Sequence, residues 1–231
     1  MPSPINDINR LHKFLASQTV YPILLSTLFA LALYVARVLQ SHSFAYLNLI
    51  WNLFLAWVPF WLSIWAAALY TNRPGRWWVL IFPGFLWLIF FPNAPYIITD
   101  FLHLSDRPRI PMWYDILMLA TFAWTGCFLA IASLRTMQII VKDHIGWVFS
   151  WAFAGIALGL GGLGIYLGRF SRWNSWDIFL SPNEILYEVV LKTVNPLSNL
   201  RFFGFTILFS SFLLICYLMF ITIRKEPQLP N

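Results

Sequence analysis

The sequence predicts an all-α integral membrane protein, a helical bundle of about six transmembrane helices. Of its 231 residues, 60% are hydrophobic and only 10% are charged, and the mean hydropathy is +0.70. Soluble domains carry roughly 25% charged and about 45–50% apolar residues. One soluble core of this size cannot bury so much apolar surface, so we expect lipid around the chain. The aromatic content of 19% is typical of the belts at membrane–water interfaces.

The apolar runs define a single transmembrane domain over residues 19–223. Its predicted spans are residues 19–39, 47–71, 77–92, 112–135, 146–168 and 202–223. The first run is longer than the apolar part of a signal peptide, and we interpret it as an uncleaved helix. The third run is shorter than the ~20 residues that a span needs. It must therefore be completed by the following PNAPY sequence or cross a locally thin region.

The two ends of the chain are polar. Residues 1–18 carry apolar residues at three- to four-residue spacing together with Arg10 and Lys13. This pattern is compatible with a basic amphipathic helix on the membrane surface and with a frayed terminus. Residues 224–231 form a polar tail.

The long loop before the last span contains a further predicted helix. Ser181, Pro182 and Glu184 occupy the cap, first and third positions of a helix N-terminus. An apolar stripe follows, made of Ile185, Leu186, Val189 and Val190. We predict an interfacial helix that ends at residues 195–196 and could act as a lid over what lies beneath.

Basic residues favour a cell-membrane protein with both termini in the cytoplasm, because Lys and Arg concentrate in cytoplasmic loops. One side receives eight: Arg10, Lys13, Arg73, Arg76, Arg135, Lys142, Arg224 and Lys225. The other receives six: Arg107, Arg109, Arg169, Arg172, Lys192 and Arg201. Arg37 is predicted to snorkel to that second, outer side. Because the basic residues form no run, we do not expect nucleic acid as a partner.

The fifth span is rich in glycine, with the sequence LGLGGLG over residues 158–164. No strand precedes it and no Lys-Ser/Thr pair follows it, so it does not have the pattern of a phosphate-binding loop. Gly155 with Gly159, and Gly164 with Gly168, are instead small-xxx-small pairs. Such pairs predict close helix packing in lipid.

Polar residues concentrate at the predicted outer ends of four spans. Asn48 and Asn52 lie four residues apart and so share one helix face. Polar groups at membrane depth are costly and tend to mark functional sites, so we predict one shared pocket. The candidate ligand-binding residues are Asn93, Tyr96, Asp100, His103, Arg169, Arg172, Asn174 and Asp177.

Three chemistries fit this set. Asp100, His103 and Asp106 are spaced by three residues, and on a helix they could hold a divalent metal or act in acid–base catalysis. Arg169 and Arg172 offer two guanidinium forks suited to a carboxylate or phosphate. The third alternative is structural, in which Asp100 and Asp177 pair with these arginines, cap helices and fix the loops.

Two stretches, FPNAPYIITDFLHL and YLGRFSRWNSWD, resemble the signature blocks of the DUF1361 family of bacterial multi-pass membrane proteins. The resemblance covers roughly residues 48–219. It implies several transmembrane helices and selects the same two segments. The family's function is unknown, so the resemblance implies no catalytic residue and no cofactor.

We therefore expect a multi-pass membrane protein with a ligand-binding pocket at its extracytoplasmic face, in an accessory, sensor or transport-related role. The expected partners are membrane lipid, an anionic or lipid headgroup ligand, and a partner membrane protein. The alternative is a membrane-embedded enzyme, metal-dependent in one version, acting on a lipid-linked or extracytoplasmic substrate.

Overall fold

The computed structural model describes residues 19–73, 75–105 and 109–223, and no strand occurs in these ranges. The predicted terminal segments, residues 1–18 and 224–231, lie outside the described residues, and so does the metal candidate Asp106. The α-helices are α1 Val20–Ser41, α2 Asn48–Asn72, α3 Ile81–Phe90, α4 Asn93–Tyr96, α5 Met112–Ile145, α6 Trp147–Tyr166, α7 Asp177–Leu180, α8 Pro182–Val194 and α9 Leu200–Ile223. Three 3-10 helices, Trp77–Leu80, Ile97–His103 and Leu197–Asn199, and one π-helix, Leu167–Ser171, join them.

Six stretches of the described chain are long and apolar enough to cross a membrane, which confirms the predicted helical membrane class. They are Val20–Ser41, Asn48–Asn72, Trp77–His103, Met112–Ile145, Trp147–Ser171 and Leu197–Ile223. The protein is therefore a multi-pass membrane protein. Helix α5 is central. It packs against α1, α2 and α6, and 67% of the residues in its apolar stretch are buried.

The third span is a composite of helical pieces rather than one helix. The apolar α3 ends at Phe90, and the chain continues through Pro92 and Pro95 into the 3-10 helix Ile97–His103. The PNAPY sequence thus completes the short third run. Irregular backbone of this kind persists at membrane depth only where protein covers it or a wet cavity adjoins it.

The fourth span extends to Ile145 rather than to residue 135. Lys142 and His144, expected in a loop, lie in its last turn. No Gly or Pro interrupts residues 135–145, and Gly146, with φ +98°, ends the helix. Hydropathy marks where lipid ends, whereas backbone chemistry marks where the helix ends.

Glycines allow the PNAPY sequence, residues 92–96, to fit between two helices; we call it the bent segment. A Cβ on Gly126 of α5 would lie 2.3 Å from the carbonyl oxygen of Ala94. On the other side, a Cβ on Gly164 would lie 2.4 Å from Cγ of Pro92. Neither position has room for a larger residue, so the segment lies directly against both helix backbones.

Only one of the two predicted glycine pairs packs closely. Gly164 and Gly168 face the bent segment, and a Cβ added to Gly168 would lie 3.2 Å from the Tyr96 ring. Gly155 and Gly159 have no atom within 4 Å of an added Cβ, so the packing predicted there is wrong.

Arg37 does not snorkel to the interface, in contrast to the prediction. Its side chain is buried and forms a bidentate pair with Asp115, at 2.7 Å and 3.1 Å from the two carboxylate oxygens. The Arg37 guanidinium also lies 4.9 Å from the centroid of the Tyr46 ring. A charge at this depth is costly unless it is paired, and Asp115 supplies the opposite charge from a neighbouring helix.

Candidate functional site

A cavity of about 480 Å³ lies at the end of the bundle that carries residues 91–104, which we call the polar end. Its walls come from α2, α3, α4, α6, the π-helix and the loop after it, α7 and α8. The apolar part of the wall includes Leu55, Phe85, Leu88, Leu160, Leu163, Leu167, Ile178, Ile185, Leu186 and Val189. The polar part consists of Asn52, Asn93, Tyr96, Asn174 and Ser175, with Trp51, Trp173 and Trp176 beside them.

The eight candidate residues divide into two groups. Asn93, Tyr96 and Asn174 line the cavity. The other five, Asp100, His103, Arg169, Arg172 and Asp177, are not part of its wall. The structure therefore places the charged candidates behind the cavity or on its rim.

Asp100 is the centre of a hydrogen-bonded cluster behind the cavity wall. Its side chain is almost completely buried. Asn52 donates to one carboxylate oxygen at 2.8 Å, and Asn48 donates to the other at 3.3 Å. The Arg169 guanidinium approaches to 4.0 Å. The two asparagines on one face of α2 thus donate hydrogen bonds to the same carboxylate of the third span.

His103 lies on the exposed side of the same cluster. In a 3-10 helix, residues three apart lie above one another, and Asp100 and His103 have that spacing. The Nε2 atom of His103 is 2.9 Å from Nη1 of Arg169, a distance at which the guanidinium donates to a neutral imidazole. Arg169 itself lies in the π-helix, an element frequent at functional sites.

The described residues contain no group of three or more His, Cys, Asp or Glu side chains arranged to hold a metal ion. Arg172 is exposed with a left-handed backbone, φ 62°, and Asp177 accepts hydrogen bonds from the backbone and side chain of Asn174. Of the predicted arginine–acid pairs, the structure contains Asp100 with Arg169. Asp177 instead stabilises the loop that carries Asn174.

Helix α8 covers the cavity and is attached through Glu188. Trp173 donates to Glu188 from its indole nitrogen at 2.6 Å, and Ser171 and Lys192 donate to the same carboxylate. Burial raises the pKa of Glu188, but the three donors outweigh that effect and hold the pKa below its usual value. Lys192 also lies 4.9 Å from the Tyr166 ring centroid. These contacts join the cover helix to the π-helix.

Residues 51–216 match the family model described as "Protein of unknown function (DUF1361)". The chain belongs to the DUF1361 family. No curated protein and no solved structure matches it. The family match includes the whole cavity wall, from Trp51 to Val189. This DUF1361 protein is thus a multi-pass membrane protein whose family has no known function.

Sequence reasoning missed two polar residues of the DUF1361 site. Ser175 accepts a hydrogen bond from Asn93 and donates to the carbonyl of Ile89, at 2.8 Å and 3.1 Å. Its position inside the RWNSWD block was the available signal. Glu188 was not singled out in the sequence, although its spacing of four from Lys192 indicated a pair.

Proposed function

We propose that this DUF1361 protein binds an amphiphilic molecule, a membrane lipid or a lipid-linked compound, in the cavity at its polar end. The cavity is the observation that carries this proposal. Its volume lies within the roughly 300–1,000 Å³ of small-molecule sites, and apolar walls with a few polar groups are typical of such sites. Binding would serve an accessory, sensor or transport-related role.

The shape of the wall supports an amphiphile over a small polar solute. Along α6 and into the start of the π-helix the lining runs from Leu160 to Leu167, which spans about 10 Å at 1.5 Å per residue. The asparagines and Ser175 belong to the elements at the polar end. A ligand with a polar head and an apolar chain would match both parts of this wall.

The proposed orientation places the polar end outside the cell membrane and both termini in the cytoplasm. The excess of Lys and Arg on the opposite loops is the observation behind it. A ligand would then enter from the outer leaflet or the extracytoplasmic space.

A cavity-filling variant tests the proposal. Leu160→Trp adds a large ring in the wall, and Ile156→Trp, one turn earlier on the lipid-facing surface, is the matched control. We expect native mass spectrometry of protein purified in mild detergent to detect a bound lipid in the wild type and in Ile156→Trp. Leu160→Trp should lose it while remaining folded. Equal lipid occupancy in all three proteins would contradict the proposal.

An enzyme acting on a lipid-linked substrate is the second candidate, and one observation favours it. The exposed imidazole of His103 lies beside the buried Asp100 carboxylate, and such a pair can perform acid–base chemistry or bind a metal. Metal analysis of the purified protein tests the metal version. A near-stoichiometric divalent ion that is lost in His103→Gln would favour the enzyme.

A further inference from the structure

We infer that the headgroup of the bound amphiphile is uncharged and rich in hydroxyl groups, as in a glycosyl diacylglycerol. This inference rests on the proposed function and names the class of ligand for the same cavity. Three observations support it: the absence of charge in the wall, the hydrogen-bonding groups left unused there, and the indole rings beside them.

The first observation is that the cavity wall formed by the described residues contains no Lys, Arg, His, Asp or Glu. The nearby charges compensate each other outside it, since Asp100 and Arg169 face each other at 4.0 Å. A charged headgroup loses hydration on entry, and an opposite charge is the main means of recovering that cost. A phosphate would find no such partner among the wall residues, so the anionic headgroup expected from the arginines is disfavoured.

The second observation concerns the orientation of the asparagine amides. Asn52 and Asn174 each bond to a carboxylate, those of Asp100 and Asp177, at 2.8 Å and 3.2 Å. An ionised carboxylate only accepts hydrogen bonds, so the amide nitrogen must be the atom that faces it. In both residues the amide oxygen therefore points away from the carboxylate.

The same reasoning fixes Asn93. The hydroxyl of Ser175 donates its proton to the carbonyl of Ile89, so it can only accept from Asn93. The Asn93 nitrogen is again committed. No described residue bonds to the side-chain oxygen of Asn93, nor to those of Asn52 and Asn174.

The unused groups of the wall are thus three amide oxygens, together with the second N–H of each amide and the Tyr96 hydroxyl. All are neutral, and they include donors and acceptors. A hydroxyl group both donates and accepts, so a polyol can satisfy both kinds. Phosphate oxygens only accept and would leave the amide oxygens unsatisfied, at the cost of an unmade hydrogen bond.

The third observation is the set of indole rings, Trp51, Trp173 and Trp176, in the same part of the wall. The face of an aromatic ring carries partial negative charge, which attracts the weakly positive C–H bonds of a sugar ring. The Trp173 ring is held in place by its hydrogen bond to Glu188, at 2.6 Å. A fixed ring loses little freedom on binding, which favours stacking.

A lipid competition experiment with the full-length protein tests the inference. The protein is delipidated in detergent and mixed with equal amounts of glucosyl dioleoylglycerol and dioleoyl phosphatidylglycerol, which share their acyl chains, and native mass spectrometry counts each bound lipid. We expect about tenfold more glucosyl lipid, because both headgroups carry hydroxyl groups but only the phosphatidylglycerol brings a charge that no residue of the wall opposes. Preferential binding of the phosphatidylglycerol would overturn the inference and leave the proposed function intact. Binding of neither lipid would overturn both.

Two further measurements locate the selectivity. Asn93→Leu should reduce the glucosyl preference severalfold, and Asn72→Leu, exposed at the opposite end of α2, should not. Glucose without a lipid chain, added at the same concentration, should not displace the bound lipid if the chain contributes to binding. Displacement by free glucose would identify a sugar site rather than a glycolipid site and contradict the inference.

Discussion

At the scale of single residues, the hydrogen bonds that Asp100 accepts show what helix spacing can predict. Asn48 and Asn52 were predicted to share a face, and both donate to this carboxylate. That Asp100 would be their common acceptor could not be predicted, because it depends on how the third span packs against α2. A buried carboxylate is retained only where donors satisfy it, so the cluster is a requirement of folding before it is a functional site.

Replacing the two asparagines separately should destabilise the protein unequally. Asn52→Leu removes the shorter bond, from a half-buried position, and leaves a buried carboxylate oxygen unsatisfied. We expect a loss of about 1–3 kcal/mol of stability. Asn48→Leu removes a 3.3 Å bond from an exposed side chain and should cost less. Apparent melting temperatures in one detergent compare the two.

The double variant provides the control. If unsatisfied charge is the cause, Asp100→Asn in the Asn52→Leu background should recover part of the lost stability, because the neutral amide costs less to bury than a carboxylate. Additive losses would show that Asn52 acts through packing alone.

At the scale of elements, the glycines determine where the bent segment can lie. Sequence spacing predicted two packing pairs in the fifth span, and of these only Gly164 with Gly168 has a close neighbour. A small-xxx-small pattern indicates where another segment can approach a helix closely. It does not indicate which segment of the chain packs there. Gly126 was not singled out in the sequence, and yet a Cβ added there would lie only 2.3 Å from the segment's backbone.

Alanine at two glycines should separate packing from helix propensity. In Gly126→Ala the new methyl would lie 2.3 Å from the Ala94 carbonyl oxygen, so α5 or the bent segment must move. We expect a loss of about 1–3 kcal/mol, the usual cost of overpacking. Gly155→Ala enters open space and should be neutral or stabilising by up to about 1 kcal/mol. Thermal unfolding of both variants measures this, and an equal loss in both would contradict the packing argument.

The cover helix α8 should loosen at acid pH. The pKa of Glu188 is lower in the folded protein than its ordinary value of 4.5, so its contribution to stability is present above that value. It is lost as the pH falls through the lower, folded-state pKa. Hydrogen exchange of α8, corrected for the intrinsic rate at each pH, should therefore increase below about pH 4.5.

Two variants of α8 distinguish the protonation of Glu188 from a non-specific effect of low pH on the protein. Glu188→Gln should show faster exchange in α8 already at neutral pH and little further change on acidification. Glu184→Gln, in the exposed first turn of the same helix, should behave as the wild type. A wild-type pH profile in Glu188→Gln would assign the loosening to another group.

At the scale of the whole molecule, hydropathy was sufficient for the class and the six spans but not for the site. The predicted pocket combined all polar residues of one end, whereas the structure separates a neutral cavity from a charge-compensated cluster behind it. The charges were expected to face a ligand because each was considered without its partner. Arg37 and Asp115 are a second example, because they lie in different spans and pair with each other. Which charges are neutralised depends on which helices are neighbours, and a local sequence pattern does not predict this.

The orientation of the whole molecule is the remaining prediction, and it decides from which side a ligand reaches the cavity. Single cysteines at Asn72 and Ser105, both exposed and at opposite ends of the bundle, are introduced after Cys127 and Cys216 are changed to alanine. If the Lys and Arg excess sets the topology, a membrane-impermeant maleimide should label Ser105→Cys in intact cells and Asn72→Cys only after permeabilisation. The reverse pattern would place the cavity at the cytoplasmic face. Lipids would then reach it from the inner leaflet, and the termini would lie outside.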